Sequence, residues 1–308
     1  NEILEFNTDN AEVYSLIGIE YLFMEDFENA KKKFIKCLKY DESDYSALYN
    51  IVYCFEILEQ NESAIEYLNN YLNTNPYCEV AWHQLGKQYL FFKNYVKAIS
   101  AFDFAIISDE YFIGAYIEKG RALEKLSKYK KAIENYKLII ALKDESSYPL
   151  LRMGICNDKL GNYKNAIQNF NDSIQIDSQL NKAWYLLAEI YYKNQDYNNA
   201  IININKAIDI NSEKEYYWKL YAKINIGLSL YEEANIGFQK IIDLGDADES
   251  IWLGKTDILI KLGEYHHAID ILDKCYEIFE DKSILSFRLS GIYFLQNKIE
   301  DGIVQLKK

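Results

Sequence analysis

The sequence predicts an all-α solenoid, and three observations carry that prediction. Alanine stands at residues 30, 64, 98, 132, 166, 200, 234 and 268, a constant spacing of 34, and Gly302 takes the ninth place. All four tryptophans, Trp82, Trp184, Trp218 and Trp252, share one place in the same period. Within each block the apolar residues recur at helical spacing along two stretches. A fixed period of this size means one supersecondary unit copied along the chain, each copy unable to bury its apolar face until a neighbour stacks on it.

Repeats that start at Ala11, Tyr45, Glu79, Ile113, Ser147, Asn181, Glu215, Glu249 and Ser283 need no insertion or deletion. The chain then reads as one array: a partial repeat over 1–10, full repeats over 11–44, 45–78, 79–112, 113–146, 147–180, 181–214, 215–248 and 249–282, and a partial repeat over 283–308. No linker or low-complexity stretch interrupts it. In a first helix, A, the fourth place is bulky (Tyr14, Leu48, Trp82, Tyr116, Leu150) and the eighth is small (Gly18, Gly86, Gly120, Gly154, Ala188), with Val52, Thr256 and Ser290 as looser members. In a second, B, the seventeenth place is mostly tyrosine, the twentieth is alanine and the twenty-fourth is bulky (Phe34, Leu68, Phe102, Tyr136, Phe170). Places 4, 7, 8 and 11 form one apolar stripe, and places 17, 20, 24 and 27 another. Small residues at the eighth and twentieth places let the two helices approach, and the bulky fourth and twenty-fourth fill the space around the crossing. Short polar segments such as Asp41-Glu42-Ser43-Asp44 and Asp209-Ile210-Asn211-Ser212 are expected to close one repeat and cap the next.

In order, these columns resemble the tetratricopeptide repeat pattern of Trp, Leu, Gly, Tyr, Ala, Phe, Ala and Pro, over nearly the whole chain. The resemblance implies a right-handed α-solenoid superhelix of helix-turn-helix repeats, close to one superhelical turn. One departure is plain. The proline near the end of helix B survives only as Pro76, and Glu42, Glu110, Asp144, Ser178, Ser212, Asp246 and Glu280 stand in its place elsewhere, which puts the sharpness of the helix stop in doubt. Residues 1–10 align with the close of a repeat and the last 26 residues reach only into a ninth helix B, so the visible chain is expected to be a window on a longer array or a larger protein.

Composition narrows the function classes. A net charge of −13 argues against general nucleic-acid binding, which draws on a cationic surface. No run of 18 apolar residues exists, so no membrane insertion is expected. The abundance of Tyr, Asn, Lys and Ile fits a low-GC, bacterial genome, and the expected compartment is the cytoplasm, with the periplasm as the alternative. Of five cysteines, Cys37, Cys54, Cys156 and Cys275 fall on core places, leaving Cys78, at a repeat junction, as the candidate for an exposed thiol. No phosphate loop, CxxC pair or nucleophile elbow appears, and the adjacent His266 and His267 point in different directions on a helix. The reading is therefore noncatalytic, with no metal and no cofactor.

What remains is the inner face, which the resemblance assigns to helix A, at places 2, 5, 6, 9, 12 and 13. Those places hold eleven basic residues, Lys87, Arg121, Lys125, Arg152, Lys159, Lys182, Lys193, Lys219, Lys223, Lys261 and Arg288, against seven acidic ones, Glu12, Glu56, Glu118, Glu124, Asp158, Glu189 and Asp257. All three arginines of the chain lie in this set, and arginine offers a planar fork for carboxylates. The competing reading is a solvated network in which Arg121 pairs with Glu124 or Asp158, and Arg152 with Asp158 or Glu118. In the first two repeats the same places carry Leu16, Ile19, Leu22, Phe23, Tyr49, Tyr53 and Ile57, an apolar seat for a helix or peptide, unless a preceding repeat covers it. Tyr49, Tyr53, His83, Lys87, Arg121, Arg152, Tyr185, Lys219, Lys223 and Arg288 are thus the candidate partner-binding residues.

The expected function is a protein interaction scaffold that binds a peptide or partner-protein segment, with an acidic segment as one option and self-association as another. The alternatives are a sensing module that acts on an attached effector, or the substrate-holding arm of an enzyme. The family's clamp for a chaperone C-terminal tail is incomplete here: His83, Lys87, Glu118, Tyr148 and Arg152 offer one approximation, Lys219, Lys223, Gly254, Ile284 and Arg288 the other, and Glu118 would repel the ligand. A chaperone tail is not expected.

Overall fold

The computed structural model describes residues 10–142, 145–245, 247–280 and 282–307. Among them are eighteen α-helices and no strand, so the fold is an all-α helical-repeat solenoid. Helices α1 (Ala11–Phe23) and α2 (Phe27–Tyr40) make the first hairpin, followed by α3 (Tyr45–Ile57) and α4 (Asn61–Thr74), α5 (Glu79–Phe91) and α6 (Tyr95–Ser108), and α7 (Ile113–Lys125) and α8 (Tyr129–Ala141); α9 (Tyr148–Lys159) and α10 (Tyr163–Ile176) come next along the chain. The pattern continues with α11 (Asn181–Lys193) and α12 (Tyr197–Ile210), α13 (Glu215–Gly227) and α14 (Tyr231–Asp243), α15 (Glu249–Lys261) and α16 (Tyr265–Ile278), and α17 (Ser283–Leu295) and α18 (Ile299–Leu306). The chain divides into two compact bodies, residues 1–162 with α1 to α9 and residues 163–308 with α10 to α18. Of the partial repeat over 1–10, residues 1–9 lie outside the described residues.

The packing columns are where the period puts them. All eight alanines of the twentieth place are 0% exposed, and Phe34, Leu68, Phe102, Tyr136, Phe170, Ile204 and Leu272 of the twenty-fourth are equally buried. A Cβ added to Gly18 would lie 2.7 Å from the ring of Phe34, one on Gly86 2.4 Å from Phe102, and one on Gly120 2.4 Å from Tyr136. Those contacts are too short for any side chain, which explains the glycine at these three positions. At the fourth place the indole N–H of Trp82 donates to the carbonyl of Pro76 (2.8 Å), Trp184 to Ser178 (3.0 Å) and Trp218 to Ser212 (2.8 Å). Each indole ties its helix to the close of the preceding repeat, and the accepting carbonyl is the one at the proline place.

Helix B stops as sharply without proline as with it, which answers the doubt raised by the sequence. At the place just before it Asp41, Asp109, Asp177 and Asn211 each accept the backbone N–H two residues on, from Ser43, Tyr111, Gln179 and Glu213, at 2.9 to 3.0 Å. Such an Asx turn offers the backbone an alternative to another helical turn. Asp144 and Asp246, also in the proline place, lie outside the described residues. The capping expectation needs correction in one case. Asp44 caps α3 by accepting from the Ala47 N–H at 2.9 Å, but Lys214 at the start of α13 makes no side-chain cap, so the segment 209–212 closes a helix without capping the next.

The turn from helix A to helix B carries a column that residue types hide. In all nine repeats the fifteenth residue has positive φ: Glu25, Glu59, Lys93, Ser127, Gln195, Ser229 and Asn297 at 55° to 65°, Gly161 at 74° and Gly263 at 77°. The following N–H reaches back to the eleventh carbonyl, as from Asp26 to Tyr21 and from Asn94 to Tyr89, which is the six-to-one bond of a Schellman motif. Only two of these residues are glycine.

Candidate functional site

Helix A spans the first thirteen places of nearly every repeat, and most side chains of the inner set keep some exposure, although Val80, Gln84, Leu151 and Leu220 are buried. In the first body Tyr49 and Tyr53 are exposed on α3, with Tyr53 set edge-on to Phe27 at 6.2 Å. Burial on one side raises the Tyr49 phenol above its ordinary pKa. Next along, on α5, His83 lies between Phe102 (5.8 Å) and Phe112 (5.0 Å, edge-on), and both ring nitrogens are buried with no hydrogen-bond partner among the described residues. Burial, with Lys87 adding a like charge, pushes the imidazole down to about 4, so it is neutral at physiological pH. Lys87 itself is exposed.

The arginines are engaged. Arg152 holds Glu124 in a two-point bond, Nε to Oε1 at 3.0 Å and Nη2 to Oε2 at 2.5 Å, and the buried Tyr136 hydroxyl donates to the same carboxylate at 2.7 Å. The Glu124 side chain is only 10% exposed and Arg152 28%. Arg121 Nη1 donates to Glu118 at 2.8 Å and stays 56% exposed. A network of the kind anticipated therefore exists with different partners: Glu118 for Arg121 and Glu124 for Arg152, because the three-residue step along α7 brings Glu118 under Arg121 and the stacking of α9 on α8 and α7 brings Arg152 to Glu124.

In the second body Tyr185 stacks on Tyr217 at 5.2 Å and meets Tyr216 edge-on at 4.9 Å, and burial pushes its phenol up to about 12. The Lys182 ammonium sits over Tyr185 and Tyr216 at 5.2 and 5.6 Å. Lys219 pairs with Glu215 and, at 3.6 Å, with Asp248, while Lys223 is exposed. Arg288 pairs with Asp257 and reaches the Leu253 carbonyl at 3.5 Å. Each arginine thus has a carboxylate of its own, whereas Lys87, Lys125, Lys159 and Lys223 have no ion pair among the described residues. The sequence drew attention to the arginines, but the charges left for a partner are mostly lysines.

Cys78 corrects another expectation. It is buried and caps α5, its sulfur accepting from the Ala81 N–H at 3.4 Å, and all five thiols are free and buried. His267 faces Glu264 at 3.0 Å on the surface, and among the described residues no group of His, Cys, Asp or Glu is arranged to hold a metal ion. Nor, among them, is any helix long and apolar enough to cross a membrane.

The family profile of the tetratricopeptide repeat matches residues 11–44, 113–145 and 249–282, the same register that the alanine column sets. The chain is a tetratricopeptide repeat protein. Residues 159–241 also match the profile described as anaphase-promoting complex, cyclosome, subunit 3. Among solved structures the chain is similar to PilW, described as a widely conserved type IV pilus biogenesis factor, with 17% identity, a TM-score of 0.52, and 78% of this chain and 96% of that one covered. It is similar to a tetratricopeptide repeat protein from Parabacteroides merdae ATCC 43184 (16% identity, TM-score 0.50, 80% and 91% covered). It is also similar to a chain of the APC/C hetero-tetramer Cut9-Hcn1 (16%, 0.51, 94% and 57%). At these identities the likeness shows the fold alone. No curated protein matches the chain in sequence.

Proposed function

We propose that this tetratricopeptide repeat protein is a noncatalytic scaffold that holds a segment of a partner protein along the inner sides of its A helices. The observation that carries the reading is the division of labour within helix A. Its packing places are filled alike in repeat after repeat, while its inner places vary from exposed tyrosine in the second repeat to exposed lysine, without an ion pair among the described residues, in the third to fifth. Solvated lysines beside the outward-facing Arg121 suit an acidic stretch of the partner, and the exposed Tyr49 and Tyr53 suit an apolar one.

A partner captured with the whole chain provides the test. Arg121→Glu is the clean variant, because Arg121 is exposed, whereas reversing Arg152 would set two carboxylates together in a half-buried site. Partner affinity should fall at least tenfold in Arg121→Glu, with a weaker salt dependence, and stay unchanged in Lys131→Glu on the outer side of α8. Equal losses in both variants would mean that net charge governs binding, and the inner-face assignment would fall.

A further inference from the structure

The last residue of helix A, the thirteenth of each repeat, is outside the packing columns. In the fourth, fifth and sixth repeats it is Lys125, Lys159 and Lys193, so the fold accepts a solvated cation there. In the first three it is Phe23, Ile57 and Phe91, which are 81%, 47% and 65% exposed, and the neighbouring Met24 and Phe92 are 70% and 41% exposed. Nothing in the packing requires these apolar side chains, and contiguous exposed apolar surface on a protein marks a contact site. The patch has shape. Phe91 and Phe92 meet edge to face at 5.2 Å and, with Glu56, Glu59, Asn61 and Glu62 of the preceding repeat, line a cleft of about 690 Å³.

The rim around this face is acidic. Glu25, Glu59 and Glu62 are exposed and have no ion-pair partner among the described residues, and Glu56 only accepts a hydrogen bond from Gln88, at 2.7 Å. The three A-to-B turns along the face, residues 24–26, 58–60 and 92–94, contain one cation, Lys93. Exposed aromatic rings flanked by uncompensated carboxylates complement a ligand that carries apolar and cationic side chains together: the apolar ones fill the cleft, and lysine or arginine stems cross the rings to reach the carboxylates.

We infer that this edge of the first three repeats, around the Phe91 and Phe92 cleft, docks a basic amphipathic segment of a partner protein. The inference rests on the reading of the chain as a scaffold and gives one stretch of the bound segment its chemistry. That stretch is opposite in charge to the one suited to the lysines of the third to fifth repeats.

Three labelled 18-residue peptides test it on the whole chain: an amphipathic Leu/Lys helix, its Leu/Glu counterpart, and a Ser/Lys peptide of equal charge. The Leu/Lys peptide should bind at least tenfold more tightly than either of the others. Phe23→Ser with Phe91→Ser, and separately Glu59→Lys with Glu62→Lys, should each weaken it at least tenfold without changing helix content, since all four side chains are exposed. Reversal of two acids elsewhere on the first body, Glu110→Lys with Glu134→Lys, should leave it unchanged. Equal losses from that control, or equal binding of the Ser/Lys peptide, would overturn the proposal by reducing it to net charge. A dimer seen by sedimentation that Phe91→Ser dissolves would overturn it as well, because the face would then belong to a second copy. If the peptide fails while Arg121→Glu still weakens the captured partner, this inference falls and the scaffold reading stands; the reverse result removes the inner-face reading alone.

Discussion

Within the first body, repeats one to three and the stretch formed by repeat four and helix α9 share their packing columns and differ almost everywhere else. Ala30, Ala64 and Ala98 are as buried as Ala132, and Phe34 and Phe102 meet Gly18 and Gly86 as Tyr136 meets Gly120. Yet the inner and edge places hold Leu16, Tyr49, Tyr53, Ile57 and Phe91 in the first group, and Glu118, Arg121, Glu124, Lys125 and Arg152 in the second. The difference teaches that the period is conserved within the chain only where two helices touch. Where helix A faces outward, each repeat is free to carry its own chemistry, and exchanges of equivalent residues between the two groups should expose what each depends on.

The largest effect is expected at the twelfth place, where Glu124 of the fourth repeat corresponds to Leu90 of the third. Glu124→Leu would leave Arg152 and the buried Tyr136 hydroxyl without the carboxylate that satisfies both. Stability should fall by about 3 kcal/mol in denaturant titration, toward the lower end of what breaking a buried pair does because Arg152 retains some solvent. Adding Arg152→Leu should restore at least half of the loss. An unchanged midpoint in the single variant would show that the network stabilises nothing and that the two groups of repeats differ only on the surface.

A second exchange concerns the fifth place, where His83 of the third repeat corresponds to Ile117 of the fourth. Burial holds the His83 imidazole near 4 against an ordinary value of 6.5, so between those values the unfolded chain binds the proton and the folded chain does not. Stability from this group is therefore complete above about pH 6.5 and lost as pH falls toward 4, by roughly 3 kcal/mol at most. His83→Ile should flatten that part of the pH profile relative to the unsubstituted chain. Identical slopes in the two proteins would place the imidazole in contact with water.

The smallest effect lies in the A-to-B turn. Ser127 and Gly161 take the same left-handed conformation, and a Cβ on Gly161 would meet nothing within 4 Å, so exchange at Gly161 isolates backbone preference, while Ser127 adds only a long hydrogen bond from the Tyr129 hydroxyl at 3.5 Å. Gly161→Ala should lower stability by about 1 kcal/mol, and Ser127→Gly should raise it by up to about that amount. Opposite signs would mean that the Ser127 side chain makes a compensating contact.

Much of this molecule was legible in its residues. The alanine column, the tryptophan column and the alternation of small and bulky places set helix boundaries and core, because a repeat must bury one stripe of each helix against fixed neighbours. The exposed Tyr49 and Tyr53 followed from the same register. The left-handed column did not, since seven of its nine members are ordinary L residues held there by the Schellman bonds rather than chosen for that conformation. Pairing was equally hidden. Place numbers put Glu118, Glu124 and Asp158 all within plausible reach of the arginines, and only the stacking of α9 on its neighbours selected Glu124 for Arg152. Cys78 looked exposed from its place at a junction, whereas the turn folds its sulfur inward to the N–H of Ala81. The sequence by itself determined the repeat, its register and which residues pack, for these depend on spacing along one helix and on volume. The tertiary structure decided which charges of different repeats neutralise one another, as Arg152 does Glu124, and folded the Cys78 sulfur inward, for these depend on distances between elements that no spacing encodes.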